Sequence, residues 1–228
     1  MNPNSSPASS SRLFSIGHSN HEPEQFVRLL RGAGITAVAD VRSQPFSQRY
    51  PQYSQPALQR WLGDHDIAYA FLGEQLGGRP RSPQLYDGEG RVNYERVRQT
   101  AAFQEGLNRL VEGSDHLIIT MLCSEEDPLH CHRGLMIAPA LVERGVRPAH
   151  VRGDGSIESM EQVEERLLSE TKVGQGIVDG MFATMLSEEE RRQLLAEAYR
   201  VQALRKAFRL KPEGFTVGVS LQREEELA

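Results

Sequence analysis

A chain of 228 residues is long enough for one domain with a buried core plus an appendage, and 39% hydrophobic against 25% charged residues marks it as globular. No apolar run reaches the length of a membrane span, and a net charge of −5 excludes an extended basic face of the kind that coats nucleic acid. With only two cysteines, Cys123 and Cys131, and no hydrophobic leader, the expected location is cytoplasmic, and both sulfurs read as thiols or ligands rather than a structural staple.

The Ser-, Pro- and Asn-rich start, residues 1–12, reads as a disordered lead-in. Leu13-Phe14-Ser15-Ile16 is a first strand that ends at Gly17-His18-Ser19-Asn20. Phe26, Leu29 and Leu30 then share one face of a helix, capped by Ser19 or Asn20 and stopped by Gly32 and Gly34. ITAVADVR (Ile35–Arg42) is a buried-strand pattern, and SQPFSQRYPQYS after it is a loop by its Pro and Ser content. A short helix at Ala57–Leu62 leads to a third strand, Ala68–Gly73. The Gly- and Arg-rich GGRPRSPQLYDGEGR follows, then a helix near Tyr94–Glu112. HLIITMLC (His116–Cys123) is the clearest strand. After its loop come a helix from about Arg133 to Arg144, Gly145 as its cap, and a strand at Ala149–Gly153. From Ser156 the chain turns to acidic helices, and Ser187–Glu190 is a capping-box signature opening a helix to about Phe208.

Apolar strands alternating with amphipathic helices define an α/β fold over residues 13–155, a mostly parallel sheet with helices on both faces. Residues 156–228 form a C-terminal helical extension, expected to pack on the core, on a protein partner or on a second copy.

The unusual residues fall at one end of that sheet. His18 and Ser19 follow the first strand; Asp40, Arg42 and Ser43 end the second; Arg79 lies beyond the third; Cys123 and Glu125 end the fourth. Ligands of open parallel sheets bind outside the carboxyl ends of the strands, so four loops converge on one rim. Cys131, His132 and Arg133 lie at the start of the following helix, where backbone N–H groups and the helix dipole favour anions and thiolates. The expected roles are Cys131 as nucleophile or redox thiol, and His18, Glu125 or His132 as proton-moving groups. Asp40 is either functional or paired with Arg42, Arg49 or Arg133. Arg42, Arg79 and Arg133 are the expected anion contacts, with Ser19, Ser43, Arg49 and Cys123 completing the substrate site. Cys123 also reads as a strand-end packer. A zinc cage from Cys123, His130, Cys131 and His132 has the right atoms, but three consecutive residues do not easily converge on one tetrahedral ion. No metal ligand and no cofactor is therefore expected. A redox disulfide lacks the usual C-x-x-C spacing.

The stretches SIGHSN (15–20), VADVRSQPFSQRYPQYS (38–54), LGEQLGGRP (72–80), MLCSEEDPLHCHRGLMIAPAL (121–141) and AHVRGDG (149–155) resemble the DUF488 family, bacterial and archaeal proteins named for a domain of unknown function. The resemblance covers roughly Leu13–Gly155. It implies that His18, Ser19, Asp40, Arg42, Ser43, Arg79, Cys123, Glu125, Cys131, His132 and Arg133 occupy the family's motif positions, with His130 outside the motif. It brings no settled reaction. A looser likeness is to rhodanese-like domains, through the Asp-Val-Arg strand and the strand–Cys loop–Arg–helix unit. The chain departs from their compact C-x5-R loop, since Cys123 is ten residues before Arg133 and Cys131 only two. The expectation is an enzyme acting on a small anionic ligand, phosphate-bearing, a nucleotide or derived from nucleic acid, with local nucleic-acid contact and no membrane. The alternatives are a non-catalytic nucleotide- or partner-binding regulatory module, or a Cys/His metal protein.

Overall fold

The runs LFSIG and ITMLC become the two central strands of one six-stranded sheet, because strands covered on both faces read as continuous apolar stretches. The computed structural model describes residues 12–175 and 186–210. The expected lead-in, except Arg12, and the end of the extension from residue 211 lie outside the described residues.

In chain order the elements are β1 (Leu13–Gly17), α1 (Pro23–Gly32), β2 (Ala37–Asp40), α2 (Gln55–Gly63), β3 (Ala68–Phe71), α3 (Gly73–Leu76), α4 (Tyr94–Arg98) and α5 (Ala101–Ser114). Then follow β4 (Ile119–Cys123), α6 (Ala138–Val142), β5 (Ala149–Val151), β6 (Ile157–Glu158), α7 (Met160–Thr171) and α8 (Glu188–Lys206). The strand order is β3-β2-β4-β1-β5-β6, parallel throughout except for β6.

Helices cover both faces. Phe26 and Leu30 of α1 and Leu58 and Leu62 of α2 pack on Phe14, Ile16, Val38 and Leu122. The opposite residues of the same strands, Leu13, Ala37, Ala39, Ile119 and Met121, meet α3 to α8. On α5 the buried stripe is Phe103, Leu107 and Leu110, and burying each such side chain contributes about 1.5–3 kcal/mol. The extension belongs to this second layer: Val163, Leu167 and Leu168 of α7 and Ala198 of α8 share its core.

Several expectations are refined. The helix near Tyr94–Glu112 is two helices, because Thr100 turns its hydroxyl to the N–H of Phe103 and starts a new one. α1 is not capped by Ser19 or Asn20; Glu22 stands at the cap, Pro23 supplies the preset φ of the first turn, and the Ser19 hydroxyl donates to Asn20 instead. The helix from Arg133 begins with a π-helical stretch, Arg133–Ile137, before α6. β6 was not expected. The capping box at Ser187 and Glu190 forms, and Ser159 with Gln162 makes another on α7. Among the described residues, no helix is long and apolar enough to cross a membrane.

The chain leaves β1 through α1 on one face and leaves the adjacent β4 through α6 on the other. That divergence opens a crevice at the carboxyl ends of β1 and β4, the topological switch point of the sheet.

Candidate functional site

At this crevice the loops after β1 and β4 are fastened to each other. His18 N–H donates to the Cys123 carbonyl and Ser19 N–H to the Ser124 carbonyl, both at 2.9 Å. Gly17 is required by the approach: a Cβ there would stand 1.8 Å from the Glu125 carbonyl oxygen. Arg133, 1% exposed, clamps the β4 loop from below, donating to the carbonyls of Glu125 (2.6 Å) and Glu126 and to the Ser15 hydroxyl (3.1 Å). Ser15 Oγ in turn lies 2.7 Å from Nδ1 of the buried His150. Burial, then the charges of Arg133 and Arg152, lower His150 to about 3, so it is neutral.

The loop brings both sulfurs and one imidazole together beneath its surface. Nδ1 of His132 lies 3.6 Å from Cys131 Sγ and 3.8 Å from Cys123 Sγ. Nε2 of the same ring is 2.9 Å from the Val41 carbonyl, to which it donates, so Nδ1 is turned toward the sulfurs. The ring lies on bare backbone, since a Cβ on Gly78 would fall 2.7 Å from its Cγ. Burial pushes the Cys131 thiol up, but the Cys123 hydrogen bond and the charges of His132 and Arg133 outweigh it and hold Cys131 well below the ordinary range. His132 follows the same balance in reverse: burial lowers it, and the Cys131 thiolate raises it further. Cys123 is raised by its hydrogen bond to Cys131 and by burial. It keeps its proton, which is shared between the Cys131 sulfur and Oε2 of Glu125, 3.0 Å away. Glu125 and Ser124 are exposed and form the mouth above the sulfurs. Tyr94, at the start of α4, is buried close to the cluster, and burial, then the charge of Cys131, raises its hydroxyl.

A second knot holds the neighbouring strand end. Asp40 is wholly buried and Arg42 is 4% exposed; Arg42 grips the carboxylate through Nε (2.8 Å) and Nη2 (2.6 Å). Tyr69 OH donates to Asp40 Oδ2 at 2.9 Å. Nη1 of Arg42 donates to the Tyr53 carbonyl (2.9 Å) and reaches Nε2 of His18 (3.3 Å). His18 stacks on Tyr53 at 4.2 Å between ring centres, and Nδ1 donates to its neighbour's carbonyl. Burial, then Arg42, lowers His18 to about 4 and keeps it neutral.

The expected rim therefore assembles, with an inner and an outer part. Asp40, Arg42, Arg133 and His18 are buried and already engaged with partners inside the protein. Cys123, Cys131 and His132 form the cluster. Ser19, Glu125, Arg49 and Arg79 face outward, and Ser43 accepts the N–H of Arg79 at 2.8 Å. Ser19 has φ 45°, a left-handed conformation uncommon outside glycine and found at ligand-contacting turns. His130 is exposed and outside the cluster. Sequence reasoning gave no site role to Tyr94, Ser15, His150, Tyr53 or Tyr69: Ser15, Tyr69 and His150 lie within strands rather than at their ends, and Tyr53 and Tyr94 are brought in by packing.

At Ser124 a rim cavity of about 570 Å³ is lined also by His18, Ser19, Phe46, Arg49 and Tyr50. Phe46 is 69% exposed, and the Arg49 guanidinium lies over the Tyr50 ring at 5.4 Å. A larger cavity of about 1060 Å³ lies between α4, α6 and α8. Its charges pair across it, Arg98 with Glu143 and Arg147 with Glu161 and Glu164; Tyr94, Leu135 and Pro139 reach it, but Cys123, Cys131, His132 and Glu125 do not line it. The candidate site is the rim, where the reactive groups converge.

An open, mostly parallel α/β sheet with paired thiols and an imidazole at its switch point defines the class of the protein. The family model described as domain of unknown function DUF488 matches residues 22–138, from just before α1 into the start of α6. The chain belongs to that family. The matched part contains Asp40, Arg42, Cys123, Glu125, Cys131 and His132, while His18, Ser19 and the helical extension lie outside it. Neither a curated protein nor a solved structure matches the chain.

Proposed function

We propose that this protein is an enzyme acting on an anionic, phosphate-bearing substrate, a nucleotide or a fragment of nucleic acid, at the rim of β1 and β4. The observation that carries the reading is the Cys131–His132 contact, 3.6 Å, beside Cys123, whose sulfur meets the exposed Glu125 at 3.0 Å. A polarised sulfur near an exposed carboxylate, at the place where α/β folds bind ligands, is the arrangement of a reaction centre. In this reading the Cys131 sulfur is the electron-rich centre of the chemistry, and Glu125 carries protons between it and solvent. Arg49 and Arg79 supply the anion contacts, because the donors of Arg42 and Arg133 are engaged inside the protein. Phe46 and Tyr50 offer faces to a base, which supports a nucleotide over a bare phosphate. His18 and Asp40 hold the strand ends in place.

The test is a thermal-shift screen of nucleoside mono- and diphosphates against inorganic phosphate, followed by turnover assays of whatever binds. A nucleotide is expected to raise the midpoint more than phosphate does, and Arg49→Ala to reduce that gain. Cys131→Ser is expected to abolish turnover while binding persists. Undiminished turnover in that variant removes the sulfur from the chemistry. Binding without turnover of any ligand makes the rim a recognition module instead.

A further inference from the structure

The expectation against a metal rested on three consecutive residues failing to converge. The fold does not ask them to. His130 turns outward, and Cys131 and His132 fold back to meet Cys123 at the end of β4, so that Sγ, Sγ and Nδ1 all lie within 4.8 Å of one another.

We infer that Cys123, Cys131 and His132 Nδ1 bind a zinc-class divalent cation, with the fourth coordination position directed toward Glu125. A tetrahedral ion with metal–sulfur bonds of about 2.3 Å and a metal–nitrogen bond of about 2.0 Å holds sulfur and nitrogen about 3.5 Å apart. The sulfur–nitrogen separations here are 3.6 and 3.8 Å, already at that spacing. Two thiolates and an imidazole are the donor set that selects zinc over magnesium or calcium. The outer shell is also in place. A ring that gives its Nε2 proton to the Val41 carbonyl, 2.9 Å away, turns Nδ1 to the sulfurs, where an ion that displaces its proton meets the lone pair. The bare backbone of Gly78 against the imidazole fixes its tilt.

Three protein ligands leave one position open, the pattern of catalytic rather than structural zinc. Glu125 Oε2, 3.0 Å from Cys123 Sγ and on the exposed side, stands outside the three-atom cluster, as the carboxylate beside whatever binds at the open position. With the ion bound, Cys131 is a ligand and the cluster supplies a Lewis acid to the rim. This use of the ion rests on the rim reading above; its binding does not.

The experiment uses the full chain purified under reductant. Elemental analysis after dialysis against Zn²⁺ is expected to give one equivalent per chain, and Co²⁺ is expected to give the intense thiolate-to-cobalt absorption of a sulfur-ligated tetrahedral site. Cys131→Ser and Cys123→Ser should remove the stoichiometric ion, and His132→Gln should weaken it at least tenfold, whereas His130→Gln should retain it. A folded wild-type chain that takes up neither ion with micromolar or better affinity overturns the inference, as does an ion retained in all three ligand variants. Should those variants fail to fold, the wild-type cobalt spectrum decides alone: without thiolate charge transfer the site is not this one. The two readings fail separately. A metal-free chain whose turnover still depends on Cys131 removes the metal and keeps the rim enzyme. A zinc-loaded chain whose Glu125→Gln and Arg49→Ala variants act and bind as the wild type does keeps the metal and removes the rim reading.

Discussion

Two histidines of this protein are held neutral by burial and by neighbouring arginines, and His150 gives a pH signature that can be measured apart from any activity. His150 is buried against Ser15 and Arg133, and its value in the fold, about 3, is far below the ordinary 6.5. The unfolded chain therefore binds a proton that the folded chain refuses throughout the interval between those values. Stability from this group is complete above pH 6.5 and is lost as pH falls toward 3. From pH 7 to pH 5 the loss is about 2 kcal/mol for one such group. Urea unfolding of wild type and His150→Gln at pH 7, 6 and 5 should show the variant losing less over that interval by this amount. Equal losses in the two proteins would mean that His150 takes up a proton in the folded state. The pair Asp40–Arg42 illustrates a different lesson at the same scale. The sequence left open whether Asp40 was paired or functional, and a two-pronged contact with Arg42 plus the Tyr69 hydroxyl answers for its surroundings.

At the scale of elements, the rim is a loop held down by an arginine. Arg133 stands at the first turn after the loop and reaches back to two carbonyls of it and to a hydroxyl of β1. Arg133→Met should cost about 3 kcal/mol or more, since it leaves buried acceptors unpaired, and should raise amide exchange across residues 124–127 ahead of the rest of the sheet. Unchanged exchange there would relieve Arg133 of the clamp role. Most strands were legible because burial on both faces writes an unbroken apolar run; β6, two residues long with Ile157 half exposed, writes nothing. The break before α5 was hidden because Thr100 makes it without glycine or proline. The convergence of His18, Asp40, Cys123 and Cys131 was readable from their places at strand ends. Which arginines turn inward was not, because spacing along a loop fixes position and not direction: Arg42 and Arg133 point into the protein, Arg49 and Arg79 out of it. Nor was Tyr94, brought to the thiols by the packing of α4 and carrying no local signal.

For the molecule as a whole, the helical extension completes the core. Ala198 is wholly buried, and Gln202, nearly so, donates to the Leu129 carbonyl of the β4 loop at 3.2 Å. Ending the chain at residue 186 should therefore uncover the α7 side chains Val163 and Leu167, broaden the thermal transition and produce binding of a hydrophobic dye. A truncated chain that melts as sharply and at the same temperature would make α8 an accessory. The extension also touches the rim directly. Phe208, which follows α8 outside the region matched by the family, lies under the guanidinium of Arg79 at 4.5 Å, while Arg79 N–H is tied to Ser43 inside that region. Shared core and individual tail thus meet on one outward-facing arginine. A change at position 208 should re-aim that arginine while leaving the sulfurs and their imidazole untouched, so one residue of the extension sets the outer rim independently of the cluster beneath it.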